Sequence, residues 1–369
     1  MERRQFIKGA AAAGVAGAAV ASTFPKPAIS QGLMEWKMVT SWPKGLPGVG
    51  TGAQRLADNI TAMSGGRLTV KLYAAGELVP ALQCMDAVSN GTAELGHDAP
   101  YYHLGKNVGF GFFTAFPFGL TGSEMTGWIH HGGGQALWDE LSAQFNIKPF
   151  QAGNTGPQMF GWFRKEINTV ADIKGLKYRT AGINAMVLTK LGATVVLLPG
   201  GEIFQALQSG AVDAAEWIGP YNDLSMGLYQ VAPYYYTPGF AEPGAGFQLM
   251  VNKQKYDALP SDLKAILRVA SQAGHDDIYG EFQAGSGPAL QSLVQKHNVQ
   301  LRQMPRDVLI AMGNAAADVL ADIRAKDPMA KKIADSFIGY RDTAVPWSRV
   351  GELAQYQART LPFELVKKS

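Results

Sequence analysis

Apolar residues recur along this chain with two periods, and the changes from one period to the other outline the fold. Runs with every second residue apolar predict strands over about 35–42, 67–73 and 93–97. An apolar position every three or four residues predicts helices over about 50–63 and 80–89, between those strands. Strands that alternate with helices indicate an α/β fold with mainly parallel pairing.

The same alternation returns further along the chain and gives way to helices near its end. The remaining predictions are, in chain order, a helix over 123–143, strands over 146–153 and 175–180, a helix over 183–191, a strand over 194–199, a helix over 201–209, strands over 212–217, 233–240 and 246–252, and helices over 259–297, 305–335 and 347–360. The pattern therefore predicts two α/β blocks followed by long C-terminal helices.

These elements predict two domains joined by strands that cross between them. The first domain comprises residues 31–152 and about 243–290, and the second comprises 153–242 and about 291–335. At 369 residues, the chain is long enough to build two cores of this size. Residues 336–369 remain as a C-terminal helical extension.

Residues 1–30 have the pattern of a secretory signal peptide. Arg3 and Arg4 precede a run of small apolar residues and resemble a twin-arginine export signal, with cleavage predicted after Ser30. Removing this segment takes away four of the 33 basic and one of the 30 acidic residues, so the remaining chain has no formal net charge. Because the basic surplus belongs to the signal, nucleic-acid binding is not expected.

Several short motifs resemble catalytic or cofactor sites but lack the surroundings that such sites need. The sequence GVGTGA at 48–53 fits a dinucleotide fingerprint, but two prolines separate it from the preceding strand, so we interpret it as a helix start. The sequence HHGGG at 130–134 resembles an esterase oxyanion loop, but no serine has glycine two residues before and after it. Cys84 is the single cysteine, which excludes an internal disulfide.

A stronger candidate site is formed by polar residues at the ends of predicted strands. Arg179 and Glu216 end neighbouring strands of the second block, at the sheet edge where α/β folds bind ligands. Asn154 and Gln158 lie in a glycine-rich segment before a strand, and Glu242 lies beside a predicted crossing between the domains. Together these residues predict a polar site in aromatic surroundings.

Longer segments carry a family resemblance that covers essentially the whole chain after the signal peptide. AGELVPALQCMDAVSNGTAELGH, INTVADIKGLKYRTAG and GEIFQALQSGAVDAAEW resemble hallmark segments of the extracytoplasmic solute receptors of TRAP transporters. GNTGPQMFGWFRKEI, EWIGPYND and APYYYTPGF resemble the branch that binds 2-oxo acids such as pyruvate, or lactate, together with a metal ion. The resemblance implies a two-domain periplasmic binding protein fold of the α/β class, with hinge strands and long C-terminal helices.

The resemblance also implies a role for each candidate residue. Arg179 is expected to grip the ligand carboxylate, and Tyr101 and Tyr102 match a segment that closes over the ligand. The predicted ligand contacts are Arg179, Gln158, Asn154, Tyr101, Tyr102 and Trp217, and the predicted ligands of a Ca²⁺ or Na⁺ ion are Gln158, Glu216, Trp217 and Glu242. The implied protein is not an enzyme but a periplasmic receptor that delivers a small carboxylate to TRAP permease subunits in the membrane.

The C-terminal extension has two interpretations. The resemblance implies that some relatives exchange a C-terminal helix to form a dimer, and an apolar stripe formed by Val350, Leu353, Ala354 and Tyr356 could supply that contact. The alternative is that the extension braces the two domains of one chain.

Formal charges favour a cation at the predicted site. Glu216, Glu242 and a ligand carboxylate would bring three negative charges into a closing cleft against the single positive charge of Arg179. Two other functions stay open: a secreted metal-dependent hydrolase or lyase with Glu216 or Glu242 as its base, and a TRAP receptor for a larger sugar acid. Ala241 replaces an aromatic residue of close relatives, so the chain length of the ligand also stays open.

Overall fold

The computed structural model describes residues 32–363, so the predicted signal peptide and its cleavage site lie outside the described residues. The strands are β1 (Met34–Thr40), β2 (Leu68–Tyr73), β3 (Leu95–Asp98), β4 (Ile147–Asn154), β5 (Gly161–Phe163), β6 (Lys177–Arg179), β7 (Thr194–Val196), β8 (Ala214–Ala215), β9 (Tyr234–Thr237), β10 (Gly246–Asn252) and β11 (Gln300–Gln303). They form a first sheet in the order β2-β1-β3-β10-β4 and a second in the order β11-β9-β5-β8-β6-β7.

Helices surround the two sheets and dominate the C-terminal third. The helices are α1 (Val49–Met63), α2 (Cys84–Ser89), α3 (Gly122–His131), α4 (Gly134–Ala143), α5 (Gly182–Lys190), α6 (Ile203–Ser209), α7 (Pro220–Ser225), α8 (Lys253–Ala258), α9 (Ser261–Gln295), α10 (Arg306–Lys326), α11 (Pro328–Val350) and α12 (Glu352–Ala358). Helix α9 is about 52 Å long at 1.5 Å per residue and packs against α1, α7 and β4. The predicted α/β class with long C-terminal helices is confirmed.

The prediction of mainly parallel pairing is wrong for one strand of each sheet, β10 in the first and β5 in the second. Strand β6 pairs in parallel with β7 and β8, and β1 pairs in parallel with β3. However, β10 is antiparallel to both β3 and β4, and β5 is antiparallel to both β8 and β9. The chain passes from the first sheet to the second through β4 and β5 and returns through β9 and β10. The outward and return passes run in opposite directions, so they pair antiparallel.

Three predicted helices are each broken in the structure, and the one predicted over 347–360 breaks at Gly351, between α11 and α12. The helix predicted over 123–143 ends at His131, and α4 begins after Gly133, whose φ of 88° is a left-handed conformation that favours glycine. The helix predicted over 305–335 breaks at Asp327, whose carboxylate accepts the N–H of Ala330 as an N-cap at 2.6 Å. Proline at the first position of α11 completes this helix start.

Strand β11 was not predicted, and the motif at 48–53 has a structural role. The β11 residues are mostly exposed at the edge of the second sheet, so they carry little apolar signal. At the motif, a Cβ on Gly48 would lie 2.8 Å from the Phe282 ring, and one on Gly52 would lie 2.5 Å from Ile278. The glycines therefore allow α1 to pack closely on α9, which confirms the interpretation as a helix start.

A cluster of buried aromatic residues joins the two sheets where the candidate site lies. Trp42 and Phe247 come from the first sheet and its loops, and Trp162, Trp217 and Tyr235 come from the second. The Trp42 and Trp217 rings meet edge to face with centroids 6.3 Å apart. The polar residues described next are therefore enclosed in an apolar, largely aromatic shell.

Candidate functional site

The parallel pairing of β6 with β8 brings Arg179 and Glu216 together. Arg179 is the last residue of β6, Glu216 directly follows β8, and the Glu216 N–H donates to the Arg179 carbonyl at 3.0 Å. The prediction that these two residues end neighbouring strands of one sheet is confirmed. Both side chains are fully enclosed, with exposures of 0% and 1%.

Backbone carbonyls hold the Arg179 guanidinium in place. Nε donates to the Leu198 carbonyl at 3.1 Å, and Nη1 donates to the Glu216 carbonyl and to Glu216 Oε2, the latter at 3.3 Å. The Trp217 ring centroid lies 5.3 Å from the guanidinium carbon. Nη2 is buried without a hydrogen-bond partner, so one end of a rigid, positively charged fork remains available.

Glu242 and Gln158 belong to two loops that are joined through their backbones. The Gln158 N–H donates to the Glu242 carbonyl at 3.2 Å, and the Gly239 N–H donates to the Gln158 carbonyl at 3.1 Å. A Cβ at position 239 would lie 2.2 Å from that Gln158 carbonyl oxygen, so the close approach requires glycine. The Gln158 Nε2 donates to Thr155 Oγ1 at 3.2 Å. This bond fixes the orientation of the amide and leaves its Oε1 without a hydrogen-bond partner.

Five buried side-chain atoms without a hydrogen-bond partner fall on these four residues. They are Gln158 Oε1, Arg179 Nη2, Glu216 Oε1, Glu242 Oε1 and Glu242 Oε2. An unsatisfied buried polar atom costs about 1–3 kcal/mol, and a charged one costs more. Four acceptor oxygens and one cationic donor left without partners in one enclosed place form the arrangement expected of a binding site for a cation and an anion.

Burial raises the pKa of both glutamates. The pKa of Glu216 rises to about 7 because burial outweighs the opposing charge of Arg179, and Asp223 adds to the rise. Burial and then the charge of Glu216 hold the pKa of Glu242 well above its usual range. The nearby Tyr101 and Gln158 partly offset this rise in the pKa of Glu242. Neither side chain makes a hydrogen bond of good geometry to the Glu242 carboxylate. When both carboxylates are ionised, the site has two negative charges and the single positive charge of Arg179, so neutrality would require one further positive charge.

Tyr101 reaches the site from the first sheet, in the 3₁₀ turn Pro100–His103 that follows β3. Its ring packs on Gly182 at the start of α5, where φ is +67° and a Cβ would lie 2.4 Å from the ring. Burial raises the pKa of Tyr101, and the neighbouring Glu242 adds to this effect. The Tyr102 ring lies 4.9 Å from that of Tyr101. Burial, and to a lesser degree the charges of Glu216 and Glu242, raise the pKa of both tyrosines, so the predicted pair lies close to the glutamates.

Asn154 is placed differently from the other predicted residues. Its Oδ1 accepts the Gly156 N–H at 2.8 Å, and its Nδ2 donates to the Gly244 carbonyl at 3.3 Å. Both ends of the amide therefore bind backbone groups of the segments that cross between the sheets. The predicted ligand contact of Asn154 stays a prediction, whereas its contact with the crossing segments is observed.

Three further residues shape the site and were not identified from the sequence. Thr180 Oγ1 donates to Glu216 Oε2 at 3.4 Å, and Asn222 accepts the Trp217 indole N–H at 3.1 Å. Asp223 is buried and accepts from three donors: Trp162 Nε1 at 2.9 Å, Tyr235 Oη at 2.7 Å and the Ile218 N–H at 3.3 Å. Asn222 and Asp223 are polar residues inside the aromatic segment EWIGPYND, and Thr180 directly follows Arg179, which is the only sequence signal that these contacts leave.

The histidines near the tyrosine turn have structural partners. His97 Nδ1 accepts the Trp42 indole N–H at 2.8 Å, so Nε2 carries the proton and donates to the Ala152 carbonyl at 3.0 Å. His103 Nε2 lies 2.9 Å from the Asp98 carboxylate. Both ring nitrogens of His97 are therefore bonded to other groups of the fold, and His103 is held by the neighbouring Asp98.

Comparison with known proteins gives one consistent answer. A family model described as bacterial extracellular solute-binding protein, family 7, matches residues 38–327. A monocarboxylate 2-oxoacid-binding periplasmic protein from a Nostoc species is 39% identical over 357 residues, which cover 96% of this chain and 98% of the relative. None of the helices between residues 32 and 363 combines the length and apolar character that crossing a bilayer requires.

Two similar solved structures are TRAP periplasmic solute-binding proteins. The one from Colwellia psychrerythraea, with bound calcium and pyruvate, is 40% identical, with a TM-score of 0.86 over 88% of this chain and 99% of that one. The one from Pseudoalteromonas atlantica, with bound sodium and pyruvate, is 39% identical, with a TM-score of 0.86 over 90% of this chain and all of that one. The chain therefore belongs to family 7 of the bacterial extracellular solute-binding proteins, as a TRAP-type solute receptor.

Proposed function

We propose that this receptor binds a small 2-oxo or 2-hydroxy monocarboxylate, such as pyruvate or lactate, together with a cation. The observation that carries the proposal is the group of unpartnered atoms on Gln158, Arg179, Glu216 and Glu242. An α-oxo acid offers a carboxylate for the arginine and a second oxygen beside it for a cation. The pyruvate found in the two similar structures supports the same ligand class.

The free oxygens fit a hard cation. The cation would be held by Gln158 Oε1, the carboxylates of Glu216 and Glu242 and the backbone carbonyl of Trp217. All of these ligands are oxygen atoms, which Ca²⁺ and Na⁺ prefer. When bound, the cation would supply positive charge to the ligand oxygens. With a ligand carboxylate present, Ca²⁺ would bring the formal charge of the site to zero, and Na⁺ would leave one negative charge. Calcium in one similar structure and sodium in another support both choices.

The burial of the site supports a receptor that opens and closes. Glu242 is 2% exposed and Arg179 is completely enclosed, so a solute reaches them only if the surrounding elements move apart. We assign residues 31–152 and about 243–290 to one lobe and residues 153–242 and about 291–335 to the other. Tyr101 of the first lobe against Gly182 of the second is a contact that opening would break.

Export, delivery and assembly complete the proposal. The signal-like segment and the family support a periplasmic receptor that hands its ligand to TRAP permease subunits, with no catalytic step.

The C-terminal helices have an exposed apolar stripe formed by Val350, Leu353, Ala354 and Tyr356 on α11 and α12, which supports a dimer contact through residues 336–369. Deleting residues 344–369 should then give a monomer that still binds ligand, as measured by light scattering and calorimetry. An intact protein that is already monomeric at micromolar concentration would contradict the dimer.

Calorimetry on the exported protein tests the proposed function. Protein treated with a chelator should bind pyruvate or lactate weakly, and added Ca²⁺ or Na⁺ should restore tight binding, because each ligand raises the affinity for the other. Native mass spectrometry would identify the retained cation and acid. If the cation-loaded protein binds neither acid, or converts either one to a product, the proposal is wrong.

A further inference from the structure

Asn222 makes a bridge between the candidate site and the first lobe. It is the third residue of α7 and is completely buried. Its Oδ1 accepts the indole N–H of Trp217 at 3.1 Å, and its Nδ2 donates to the backbone carbonyl of Pro47 at 2.6 Å. Pro47 lies 175 residues earlier, in the loop between β1 and α1.

The chemistry of the two partners requires an amide at this position. An indole nitrogen only donates and a peptide carbonyl only accepts, so the bridging side chain needs one acceptor end and one donor end. Asparagine provides both on a short, planar group. A carboxylate of the same shape would keep the bond from Trp217 but would direct an oxygen at the Pro47 carbonyl.

The two bonds of Asn222 lie on opposite sides of the proposed closure. Trp217 follows Glu216 in the second lobe, and its ring covers the Arg179 guanidinium. Pro47 belongs to the first lobe, in the same loop as Trp42, whose ring meets that of Trp217. Opening the lobes would therefore break the bond to Pro47 and leave the bond to Trp217 intact.

We propose that Asn222 is a positioning residue that couples occupation of the cation and carboxylate site to closure of the lobes. It does not touch the ligand. It fixes the position of Trp217, whose carbonyl is a proposed cation ligand, relative to the first lobe. The inference rests on the proposed function, because it needs a ligand that binds at Arg179 and Glu216.

Loss of the Asn222 bridge should lower the population of the closed state. If the binding-competent closed form becomes rarer, the apparent dissociation constant rises by the same factor, and the ligand leaves faster. We expect Asn222→Asp to weaken pyruvate binding at saturating Ca²⁺ at least tenfold, mostly through the dissociation rate. Small-angle X-ray scattering should show a ligand-bound protein that remains more open than the wild type.

Tyr235→Phe is the matched control. It also removes a buried hydrogen bond, the 2.7 Å bond to Asp223, but that bond lies within the second lobe. It should lower the thermal stability and leave the pyruvate dissociation constant within twofold of wild type. Asn222→Ala, which removes both bonds, should weaken binding at least as much as Asn222→Asp, and it provides a second test if the aspartate variant fails to fold.

The outcomes separate the coupling from the proposed function. If wild type binds pyruvate and the Asn222 variants bind it within twofold of wild type, the coupling is wrong and the proposed function stands. Equal losses in Tyr235→Phe and Asn222→Asp would also overturn the coupling, since any buried bond would then have the same effect. If wild-type protein binds no 2-oxo acid with either cation, the proposed function fails and the coupling fails with it.

Discussion

Two buried acidic residues seven positions apart, Glu216 and Asp223, have opposite environments. Asp223 has hydrogen-bond donors on both carboxylate oxygens, from Trp162, Tyr235 and the Ile218 N–H. Glu216 is equally buried, but one of its oxygens has no partner, and Glu242 beside it has none on either oxygen. A carboxylate whose bonds are all made stabilises the fold, whereas one with free oxygens in an enclosed place is available to a ligand.

The largest effect is expected when the fully hydrogen-bonded carboxylate of Asp223 is removed. Asp223→Asn would turn an amide N–H₂ toward either the Trp162 indole N–H or the Ile218 N–H, which only donate, so the free energy of unfolding should fall by about 3–4 kcal/mol with or without cation and ligand. Glu216→Gln should not destabilise the cation-free protein, because it removes a carboxyl group whose ionisation burial opposes. Urea denaturation of both variants, with chelator and with Ca²⁺ and pyruvate, checks the contrast. Equal destabilisation by the two changes would contradict it.

The pH dependence of stability tests the same contrast. Burial raises the pKa of Glu216 from 4.5 in the unfolded chain to about 7 in the fold, so the folded protein binds more protons between these values. Ionisation of Glu216 alone should therefore remove up to about 3 kcal/mol of stability from the cation-free protein as pH rises through this window, and Glu242, whose pKa burial also raises, adds loss in the same direction.

Asp223 provides an internal control for that profile. Burial raises its pKa to about 6, so it contributes loss in the same direction, and Glu216→Gln should flatten the profile only in part. Denaturation between pH 4.5 and 8 measures both effects. Bound Ca²⁺ and ligand should oppose protonation and reduce the slope. A cation-free profile that rises with pH would show that the carboxylates have partners which the geometry does not reveal.

A double-mutant cycle tests whether Glu216 and Glu242 share one cation. Each single change to glutamine should weaken Ca²⁺-dependent pyruvate binding by about 2 kcal/mol, close to thirtyfold. The double mutant should lose much less than the sum, because the first change already loosens the shared ion. Strict additivity, together with affinity that is indifferent to a chelator, would mean that no bridging cation exists.

The smallest effect concerns the arginine. Arg179→Lys keeps the positive charge but loses the planar fork and its fixed bonds to the Leu198 and Glu216 carbonyls. Pyruvate affinity should fall at least tenfold, or about 1.4 kcal/mol, as measured by calorimetry at saturating Ca²⁺. Unchanged affinity would remove Arg179 from the carboxylate site.

Much of the fold and part of the site could be predicted from the sequence. Hydrophobic periodicity located most strands and helices, and the positions of Arg179 and Glu216 at neighbouring strand ends followed from it. Periodicity could not predict β11, which is exposed at a sheet edge, or the antiparallel pairing of β10 and of β5 with both of their neighbours. Strand direction depends on the path between the sheets, and a local pattern contains no information about that path.

The sequence by itself determined the α/β class, the family, the absence of a basic surplus after residue 30 and the residue types available for a carboxylate and a cation. Only the tertiary structure decided which buried acids are satisfied. Asp223 meets an indole, a phenol and a peptide N–H, while Glu216 and Glu242 keep free oxygens. The same holds for Asn222, whose partners are five and 175 residues away. Hydrogen bonds act over about 3 Å in space, and chain folding alone determines which groups come that close.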